Sequence, residues 1–349
     1  MRQTSRVDTA WRVVQNRNLE TARFDVSLSY RAPTVVKLMR PIEPFVAVLV
    51  LNWNRHAELV ECIRSLQAND YRRMRIYVVD NGSREESIDY IRRSLTNVTI
   101  IENRRNLGFC GGFNTGISRA LQDGADIVGV LNSDILVAQD FVTEVVQGFE
   151  SDDIGAVSPK EYDFVRREVI RFAGGTLNPA IARLRGYGRV DNARFSQPQD
   201  TGLLCGPAMI IRADVLRSVG LFDEKLFIIN EDRDLALRIR RAGFRIRFVP
   251  SARLWHKRHG GSDQQRSPIS AYFGVRNYWI VAMKYGNTLQ RVMAFCMLVC
   301  YWVPTTLYCG LSSHNRRYFT GLKWALLWHL DRELVPQDEE AVEILLNLA

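Results

Sequence analysis

The chain has 349 residues, of which 46% are hydrophobic and 24% charged, a composition that excludes global disorder and allows one large domain with appendages or two ordinary ones. The formal net charge of +9 is concentrated in two stretches: the 44 residues before Phe45 hold eight Lys/Arg against four Asp/Glu, and residues 233–291 hold 13 against two. A positive field there favours anionic ligands such as phosphates, anionic lipid headgroups or nucleic acid, although a solvated basic face explains it equally well.

The cysteines and the N-terminal region predict a cytoplasmic protein. None of the six cysteines forms a CxxC pair, and no Cys/His cluster has the spacing of a zinc site. Because no disulfide framework is apparent, the expected compartment is the reducing cytosol. Charges interrupt the segment from Trp11 to Met39, so no signal peptide is predicted. Residues 1–43 are predicted to form a basic N-terminal extension.

Strand patterns alternate with helix patterns from Phe45 onward. Continuous apolar runs, typical of buried parallel strands, predict strands at Phe45–Asn52, Arg75–Asp80, Val98–Glu102 and Asp126–Leu131. Helical spacing of apolar residues predicts helices at His56–Ala68, Glu85–Leu95, Phe113–Gln122 and Asp140–Phe149. Four strand–helix units predict a doubly wound α/β sheet flanked by helices.

Polar or glycine-rich segments follow each of these strands. Ligands of doubly wound sheets bind beyond the carboxyl ends of the strands. The segments at those ends are Asn52–Asn54, Asp80–Ser83, Asn103–Gly112 and Asn132–Asp134. A purely structural sheet can end in any turn residues. Polar or glycine-rich segments at all four strand ends therefore favour a ligand site at the carboxyl edge.

The pattern changes after Pro159. Residues 166–190 are predicted to be a hairpin or loop, followed by an apolar stretch at Gly202–Ile211. Helices are predicted at Asp214–Val219 and Glu231–Ala242, the second with Asn230 as its N-cap and with an Asp234–Arg238 surface pair. A strand is predicted at Arg245–Val249.

Two residues are candidates for binding a metal. Asp134 ends the tripeptide Asn132-Ser133-Asp134 behind an apolar strand, where a carboxylate is well placed to bind Mg²⁺ or Mn²⁺. The alternative is that Asp134 caps a following helix. His256 can complete such a site, although a single histidine is more often a packed residue.

Glu231 and Asp232 fall in the first turn of a predicted helix. The helix dipole favours anions there, which explains both residues without any function. The same dipole keeps Asp232 ionised, as a general base must be before it accepts a proton. The glycine-rich segment 106–116 has neither GxGxxG nor GxxxxGK[ST] spacing. Its glycines either allow a ligand to approach the backbone or serve a tight turn.

The order and spacing of these motifs resemble glycosyltransferase family 2, in particular its bacterial rhamnosyltransferase-like members. The blocks that carry the resemblance cover about residues 45–285 and are VLNWN (50–54), VVDNGS (78–83), NLGFCGGFNTG (106–116), LNSD (131–134), GPAMIIR (206–212), GLFDE (220–224), EDRDLALRIRRAGFRIRFVP (231–250), WH (255–256) and YFGVRN (272–277). The resemblance implies a GT-A fold with a mixed sheet, a domain at 44–288 and a C-terminal helical segment at 289–349.

The resemblance also implies roles for residues of this chain. The residues expected to bind the nucleotide-sugar donor are Asn52, Trp53, Asp80, Asn106, Gly108 and Asn132. Asp134 and His256 match metal ligands for Mg²⁺ or Mn²⁺, and Asn132 replaces the first aspartate of a DxD motif, which predicts weaker metal binding. Asp232 matches the catalytic base, and the acceptor side holds Asp223, Glu224 and Glu231.

The activity implied is an inverting transfer of a sugar from a nucleoside-diphosphate sugar, dTDP-rhamnose or a UDP-sugar, to a hydroxyl of a glycan or lipid-linked glycan. One alternative is a nucleotidyltransferase, which needs a Gly- and Arg-rich loop where this chain has Asn52–Arg55. The other is a non-catalytic nucleotide-sugar-binding scaffold, which needs neither Asp232 nor His256. No motif supports nucleic-acid binding, and the sequence does not predict an oligomeric state.

Val292–Leu311 is a run of twenty uncharged residues, close to the length that spans a bilayer. Pro304 interrupts it, while Tyr301, Trp302 and Tyr308 are residue types that favour a membrane interface. We therefore expect a peripheral or shallowly inserted contact with an anionic membrane at its cytoplasmic face, ahead of a true span or a buried core helix.

Overall fold

A computed structural model of the chain describes residues 43–257, 267–311 and 316–347. All of them belong to one compact unit, residues 38–349. The predicted N-terminal extension, apart from its last residue, lies outside the described residues, as does part of the basic stretch, 258–266.

A ten-stranded mixed sheet organises the main core, and a separate two-stranded hairpin, β8–β9, lies apart from it. The strands are β1 Val46–Asn52, β2 Met74–Asn81, β3 Thr99–Asn103, β4 Ile127–Leu131, β5 Ile135–Val137, β6 Ile154–Asp163, β7 Ile170–Phe172, β8 Gly175–Leu177, β9 Ala182–Leu184, β10 Gln199–Thr201, β11 Ala208–Arg212 and β12 Arg245–His256. Along the sheet the order is β10-β12-β6-β11-β4-β1-β2-β3, with β5 paired to β12 and β7 to β6.

Helices cover the sheet and extend beyond it at the C-terminal end. They are α1 His56–Gln67, α2 Glu85–Ser94, α3 Gly108–Gln122, α4 Phe141–Gln147, α5 Ala213–Val219, α6 Glu231–Arg241, α7 Pro268–Tyr285, α8 Thr288–Met297, α9 Val303–Leu311, α10 Arg316–Leu330 and α11 Asp338–Asn347. The strands β3, β2, β1 and β4 are mutually parallel, and β11 is antiparallel to both β4 and β6. The predicted doubly wound mixed α/β sheet is thereby confirmed.

The central strands are apolar on both faces because helices pack on both sides of them. β1 and β4 are buried along nearly their whole lengths, and α1 and α3 place their apolar sides on the same core. The polar ends of β1 and β4 therefore lie at one carboxyl edge, next to the start of α3. This edge carries most of the residues that the sequence singled out.

The helix predicted to begin at Phe113 begins at Gly108. Glycine disfavours a helix because of its backbone entropy. Tertiary packing overrides this preference. A Cβ on Gly112 would lie 2.7 Å from Leu51 Cδ1, and one on Gly116 would collide with Leu49, so a larger residue at either position would force these leucines to shift where α3 crosses β1.

The strand predicted at Arg245–Val249 continues to His256 through an irregular register next to β6. After β4 comes the short strand β5, which pairs antiparallel with the end of β12 and sets His256 opposite Ile135. Because a strand and not a helix follows Asp134, the alternative that this residue caps a helix is wrong.

A second core lies under the C-terminal helices. Residues of α7, α10 and α11 pack together, and Phe227 from the loop before α6 packs with them. Trp53, which follows β1, is partly buried against the same cluster. The loop 226–230 thus lies between the sheet and the C-terminal helices, and it leads directly into the helix that carries Asp232.

Candidate functional site

The carboxyl ends of β1 and β2 form a closed network of polar side chains. Asn52 Nδ2 donates to Asp80 Oδ1 at 2.8 Å and to the hydroxyl of Ser83 at 3.0 Å. The second oxygen of Asp80 accepts from the backbone N–H of Ser83 at 2.9 Å. Asn52 and Asp80 are buried, so this network fixes the shape of the pocket floor at the predicted donor side.

Asn81 connects this floor to the glycine-rich segment. Its Nδ2 donates to Asn106 Oδ1 at 2.9 Å and to the Gly108 carbonyl at 3.0 Å, while Asn106 Oδ1 also accepts from the Gly108 N–H at 2.9 Å. Gly108 has φ +71°, and a Cβ there would lie 2.6 Å from the Phe227 carbonyl oxygen. The glycine thereby allows the donor-side segment to contact the loop that precedes α6.

Asp134 and His256 lie side by side, as the metal-site prediction requires. His256 Nε2 is 3.1 Å from Asp134 Oδ1, and Nδ1 on the other side of the ring is 2.8 Å from Glu161 Oε1. All three side chains are buried or nearly so. A carboxylate on the far nitrogen fixes the orientation of the imidazole, which is the usual arrangement around a metal-binding histidine.

Hydrogen bonds and neighbouring charges shift the pKa values of both His256 and Asp134. Burial lowers the pKa of His256, but hydrogen bonds to Asp134 and Glu161 outweigh it and raise the pKa to about 9. Burial also opposes ionisation of Asp134, yet the hydrogen bond and charge of His256, with Arg55, hold its pKa below the ordinary value. Arg55 Nη1 lies 3.6 Å from Asp134 Oδ2. Positive groups therefore already surround this carboxylate.

The donor set fits a divalent cation. Asp134 supplies a carboxylate oxygen, and His256 supplies a ring nitrogen when its Nε2 proton is lost, while Glu161 keeps the ring in place. Asn132 is half-buried, and its backbone N–H donates to the Pro207 carbonyl at 2.9 Å. Two protein ligands leave room for phosphate oxygens and water, which Mg²⁺ and Mn²⁺ usually keep.

The loop before α6 has a strained backbone. Phe227, Ile229 and Asn230 have φ of +60°, +72° and +70°, values that non-glycine residues seldom adopt. Asn230 occupies the N-cap position as predicted, but its side chain donates to the Gly274 carbonyl at 3.3 Å and does not cap the helix. Strain of this kind persists only where the surrounding structure holds it, and it is common at functional sites.

Two adjacent residues of α7 hold this loop. Asn277 Nδ2 lies within hydrogen-bond distance, 2.7–2.8 Å, of the carbonyls of Leu226, Ile228 and Ile229. Arg276 donates to the Leu226 carbonyl at 3.1 Å and also pairs with Asp338 of α11. Arg276 and Asn277 are 2% and 0% exposed, so the strained conformation is held from inside the protein.

Asp232 and Glu231 begin α6 with different surroundings. Asp232 is half-buried and its Oδ1 accepts from the Arg233 N–H at 2.8 Å. Glu231 is buried, and its Oε2 has no hydrogen-bond partner in the described part of the chain. Burial and the charge of Asp232 raise the pKa of Glu231 to about 8. Burial also raises the pKa of Asp232, opposed by the charge of Arg233.

The loop between β10 and β11 links Asp232 to the candidate metal pair. The backbone carbonyl of Pro207 accepts a hydrogen bond from the N–H of Asn132, which stands two residues before Asp134. A Cβ on the neighbouring Gly206 would lie 3.7 Å from Asp232 Oδ2. Asp134 and Asp232 therefore lie on either side of this loop at one edge of the sheet, although 98 positions separate them in the sequence.

The other predicted acceptor-side residues bind neighbouring elements. Asp223 accepts from Lys284 at 2.8 Å, and although burial opposes ionisation, this lysine holds the pKa of Asp223 below its ordinary value. Lys284 also donates to Asp234 at 3.0 Å. Glu224 is exposed and accepts from Asn114 of α3 at 3.0 Å. The predicted Asp234–Arg238 pair forms at 2.8 Å, but Asp234 is buried and not on the surface.

Several site residues were not singled out from the sequence. Asn81, Arg276 and Asn277 stand inside the blocks VVDNGS and YFGVRN, so the motifs contained a signal for them. Arg55 follows the first strand but gives no signal of its own. Glu161 could not be recognised, because it stands in a strand beside other buried polar residues and is defined only by its contact with His256.

The family model for "Glycosyltransferase like family 2" matches residues 43–280. An N-acetylglucosaminyltransferase of Rhizobium meliloti is 26% identical over 230 residues, which are 61% of this chain and 51% of that protein. The dTDP-rhamnosyl transferase RfbF of Shigella flexneri is 21% identical over 253 residues, 70% of this chain and 81% of that protein. The chain spans about half or less of the length of several other curated relatives.

Solved structures agree on the fold. A mannosyltransferase from Pyrobaculum calidifontis, solved in complex with GDP-Man and Mn²⁺, superposes with a TM-score of 0.55 at 17% identity, covering 83% of this chain and 88% of that one. At this identity the likeness shows the fold alone. The GT-A fold expected from the motifs is therefore confirmed.

Proposed function

The chain belongs to the glycosyltransferase-like family 2, and on that premise we propose that it transfers a sugar from a nucleoside-diphosphate sugar to an acceptor hydroxyl with inversion. One observation carries the proposal: the loop at Gly206–Pro207 contacts both parts of the candidate site, because Pro207 accepts a hydrogen bond from Asn132, two residues before Asp134, and Gly206 lies next to the Asp232 carboxylate. A base for the acceptor and a cation site for the donor diphosphate would then lie together. The dTDP-rhamnosyl transferase among the similar proteins supports this chemistry.

In the proposed reaction, Asp232 accepts the proton of the acceptor hydroxyl while that oxygen attacks the anomeric carbon. The bond from the anomeric carbon to the diphosphate oxygen breaks on the opposite face, and one displacement inverts the configuration. The strained loop, held by Arg276 and Asn277, positions Asp232. A correctly positioned general base contributes roughly 10²–10⁴-fold to the rate.

On the donor side, Asn52, Asp80 and the Asn81–Asn106 network form the nucleoside pocket, and Trp53 and Gly108 shape its wall. Asp134 and His256 hold the divalent cation, with Glu161 as the positioning residue for His256. When bound, Mg²⁺ or Mn²⁺ neutralises negative charge on the departing nucleoside diphosphate. Arg55 adds a fixed positive charge at the same place.

A panel of nucleotide sugars tests the proposal. We expect dTDP-rhamnose or a UDP-sugar to raise the melting temperature of the full chain in the presence of Mn²⁺, and to do so much less in EDTA, because ligand binding to the folded state stabilises it. The same donor should be slowly hydrolysed without an acceptor. A chain that binds no nucleotide sugar, with or without Mn²⁺, would contradict the proposal.

We further propose that the protein binds an anionic membrane through the helical run Thr288–Leu311. The stretch Thr288–Cys309 is long and apolar enough to cross a membrane, and 17% of its 18-residue apolar window is buried. Within Val292–Cys309, Ala294, Thr306 and Cys309 are buried, Leu298, Trp302, Val303 and Thr305 are half-buried, and the other side chains are exposed. A π-helical turn at Leu298–Trp302 precedes Pro304. An exposed apolar surface of this kind is typical of an interaction site.

Charge-neutral substitutions on the exposed side test the membrane proposal. We expect Val292→Ser, Phe295→Ser and Val299→Ser together to weaken sedimentation of the full chain with phosphatidylglycerol-containing vesicles at least about tenfold, because each apolar side chain contributes roughly 1.5–3 kcal/mol on full burial. High salt should weaken binding without eliminating it, since apolar contacts are not screened.

The matched control is a triple Ser variant of other exposed apolar residues, Val165, Leu184 and Val190. It should sediment like the unmodified chain. Equal partitioning of the two triple variants would show that the run Thr288–Leu311 does not contact the membrane.

A further inference from the structure

The C-terminal helix α11 contacts both parts of the candidate site, although it lies beyond residue 280, where the family match ends. Its first two residues are acidic, and each pairs with an arginine from a different part of the site. Asp338 pairs with Arg276, which holds the loop before α6. Glu339 accepts from Arg105 of the donor-side segment at 3.2 Å. The start of α11 therefore connects the C-terminal segment with the candidate catalytic centre.

Packing fixes the position of α11. Its side chains Ala341, Val342 and Leu345 are buried in the second core, together with residues of α7 and α10. The helix α10 lies so close to α7 that a Cβ on Gly321 would collide with the Pro268 carbonyl oxygen. The carboxylate at the start of α11 is thus presented to α7 by closely packed helices.

Arg276 carries a buried positive charge that Asp338 balances. The residue is 2% exposed, and its guanidinium lies over the rings of Tyr272, Phe273 and Trp328, at 5.2, 4.7 and 5.6 Å from their centroids. Among the residues that the structure describes, Asp338 is the only carboxylate within ion-pair distance of this guanidinium. A buried charge that loses its partner is strongly destabilised. Loss of the carboxylate therefore favours a conformation in which Arg276 leaves this position.

The other donors of Arg276 hold the loop before α6. Its Nη2 donates to the Lys225 carbonyl at 3.0 Å and to the Leu226 carbonyl at 3.1 Å. Its Nε donates to Asn277 Oδ1 at 2.9 Å, and this contact orients the amide so that Nδ2 donates to the loop carbonyls. One guanidinium thus connects Asp338 with the backbone of the loop.

The loop leads from this contact to the candidate base. Phe227 is also held from the donor side, because its carbonyl accepts from the N–H of Cys110 in α3 at 3.0 Å, a bond that does not involve α11. Asn230, at the end of the loop, has φ +70°, and Asp232 follows two residues later. Strained backbone keeps its conformation only where neighbouring groups hold it. The position of Asp232 therefore depends on the contacts of Arg276.

We infer that Asp338 is a positioning residue for the transfer reaction, an inference that rests on the proposed function. By orienting Arg276 it fixes the loop before α6, and with it the carboxylate of Asp232. The C-terminal segment is then part of the catalytic unit and not only a means of contacting the membrane. Glu339 contributes much less, because its pair with Arg105 is exposed to solvent and exposed ion pairs stabilise little.

The test compares Asp338→Asn with Glu340→Gln in the full chain. Glu340 is exposed in the same first turn of α11 and forms no ion pair within the described ranges, so the control removes the same charge from the same helix end. Nucleoside diphosphate release is measured with saturating Mn²⁺ and the donor identified by the nucleotide-sugar panel. Each rate is divided by the number of UDP or dTDP binding sites, counted by calorimetry in the same sample, so that unfolded protein does not lower it.

We expect Asp338→Asn to lower the rate per binding site at least about tenfold, because a displacement of a catalytic group by about 1 Å can cost roughly a hundredfold in rate. The KM of the donor should change little, since the bond between Phe227 and Cys110 is retained. Asp338→Glu restores a carboxylate and should regain part of the rate. Glu340→Gln should release product at the unmodified rate.

Amide hydrogen exchange reports on the loop without requiring turnover. Exchange in residues 223–232 should be faster in Asp338→Asn than in the unmodified chain and in Glu340→Gln. Arg276→Lys is a second variant that keeps a positive charge opposite Asp338 but lacks the separate donors of the guanidinium. It too should lower the rate per binding site and speed exchange in the loop.

An unchanged rate per binding site in Asp338→Asn, or an equal fall in Glu340→Gln, would overturn the inference. Fewer binding sites with an unchanged rate per site would also overturn it, because Asp338 would then serve folding alone. If Asp338→Asn does not fold, an unchanged rate per site in Arg276→Lys overturns the inference in its place. Faster exchange in the loop of Asp338→Asn, together with no turnover by the unmodified chain on any nucleotide sugar, would instead refute the proposed function.

Discussion

Replacing Asp134 by Ala is expected to abolish the effect of Mn²⁺ on nucleotide binding. In the unmodified chain, Mn²⁺ should tighten the binding of UDP or dTDP strongly, because the cation joins protein ligands to the diphosphate oxygens. Loss of a partner that only orients a metal ligand already lowers metal affinity by about 10–100-fold, so loss of a ligand itself should lower it at least as much. The ratio of nucleotide affinities with and without Mn²⁺ should then fall close to one.

Two further variants test the other residues of the proposed metal site, His256 as a ligand and Glu161 as its positioning residue. His256→Ala should weaken the Mn²⁺ effect, and Glu161→Gln should weaken it to a smaller degree, since Glu161 acts only through the imidazole. The matched control is Asp123→Asn, which removes a carboxylate that accepts hydrogen bonds from Tyr77 and Arg119 far from the site. An undiminished Mn²⁺ effect in both Asp134→Ala and His256→Ala would refute the metal site.

The parallel half of the fold could be predicted from the sequence because its signals are local. Each central strand is a short apolar run, and each helix shows a periodic apolar face, so the order of elements from Val46 to Gln147 follows from pattern alone, except for the short strand β5 at Ile135–Val137, which was not predicted. Boundaries were less predictable where packing competes with propensity. The start of α3 at Gly108 is such a case, since the fit of Gly112 and Gly116 against β1 decides it.

The candidate site was only partly predictable. Asp134 and Asp232 were identified by motif spacing, and the structure brings both to the edge at Gly206–Pro207. Glu161 was not, because its contact with His256 depends on the shifted register between β6 and β12. The strained backbone at Phe227 was also not predictable, because the hydrogen bonds that hold this loop come from Asn277, which donates to the neighbouring carbonyls of Leu226 and Ile228 from about fifty positions later in the sequence. Contacts between distant segments leave no local periodicity to find.

The C-terminal run Val292–Leu311 was also only partly predictable from the sequence. Its lack of charge was visible in the sequence, but a buried helix and a membrane-contacting helix have the same composition. Only the structure shows that Leu289, Leu307 and Tyr308 are 68%, 64% and 69% exposed. This exposure argues against the alternative of an ordinary core helix, and it supports the membrane proposal.

Replacing Asp232 by Asn should stop turnover while leaving donor binding intact. Asparagine keeps the size of the side chain and its place at the start of α6, but it does not accept the proton of the acceptor hydroxyl. Loss of a positioned general base lowers the rate by at least about a hundredfold. The donor pocket and the Asp134–His256 pair lie across the Gly206–Pro207 loop from Asp232, so the affinity for the nucleotide should not change.

Glu231→Gln is the matched control for this substitution. Burial and the neighbouring charge of Asp232 raise the pKa of Glu231, which favours its neutral carboxyl form, so glutamine is a close neutral replacement. The control should therefore lose much less activity than Asp232→Asn. At higher pH, Glu231 can gain a buried negative charge that Glu231→Gln lacks, so the variants are compared near pH 7.

The most direct measurement is the rate of nucleoside diphosphate release at pH 7 by the unmodified chain, Asp232→Asn and Glu231→Gln. Each is saturated with Mn²⁺ and with the donor identified by the nucleotide-sugar panel. We expect Asp232→Asn to release product at least about a hundredfold more slowly than the unmodified chain while binding the donor equally well. Glu231→Gln should stay much closer to the unmodified rate. Release by Asp232→Asn at nearly the unmodified rate would contradict the assignment of Asp232 as the base.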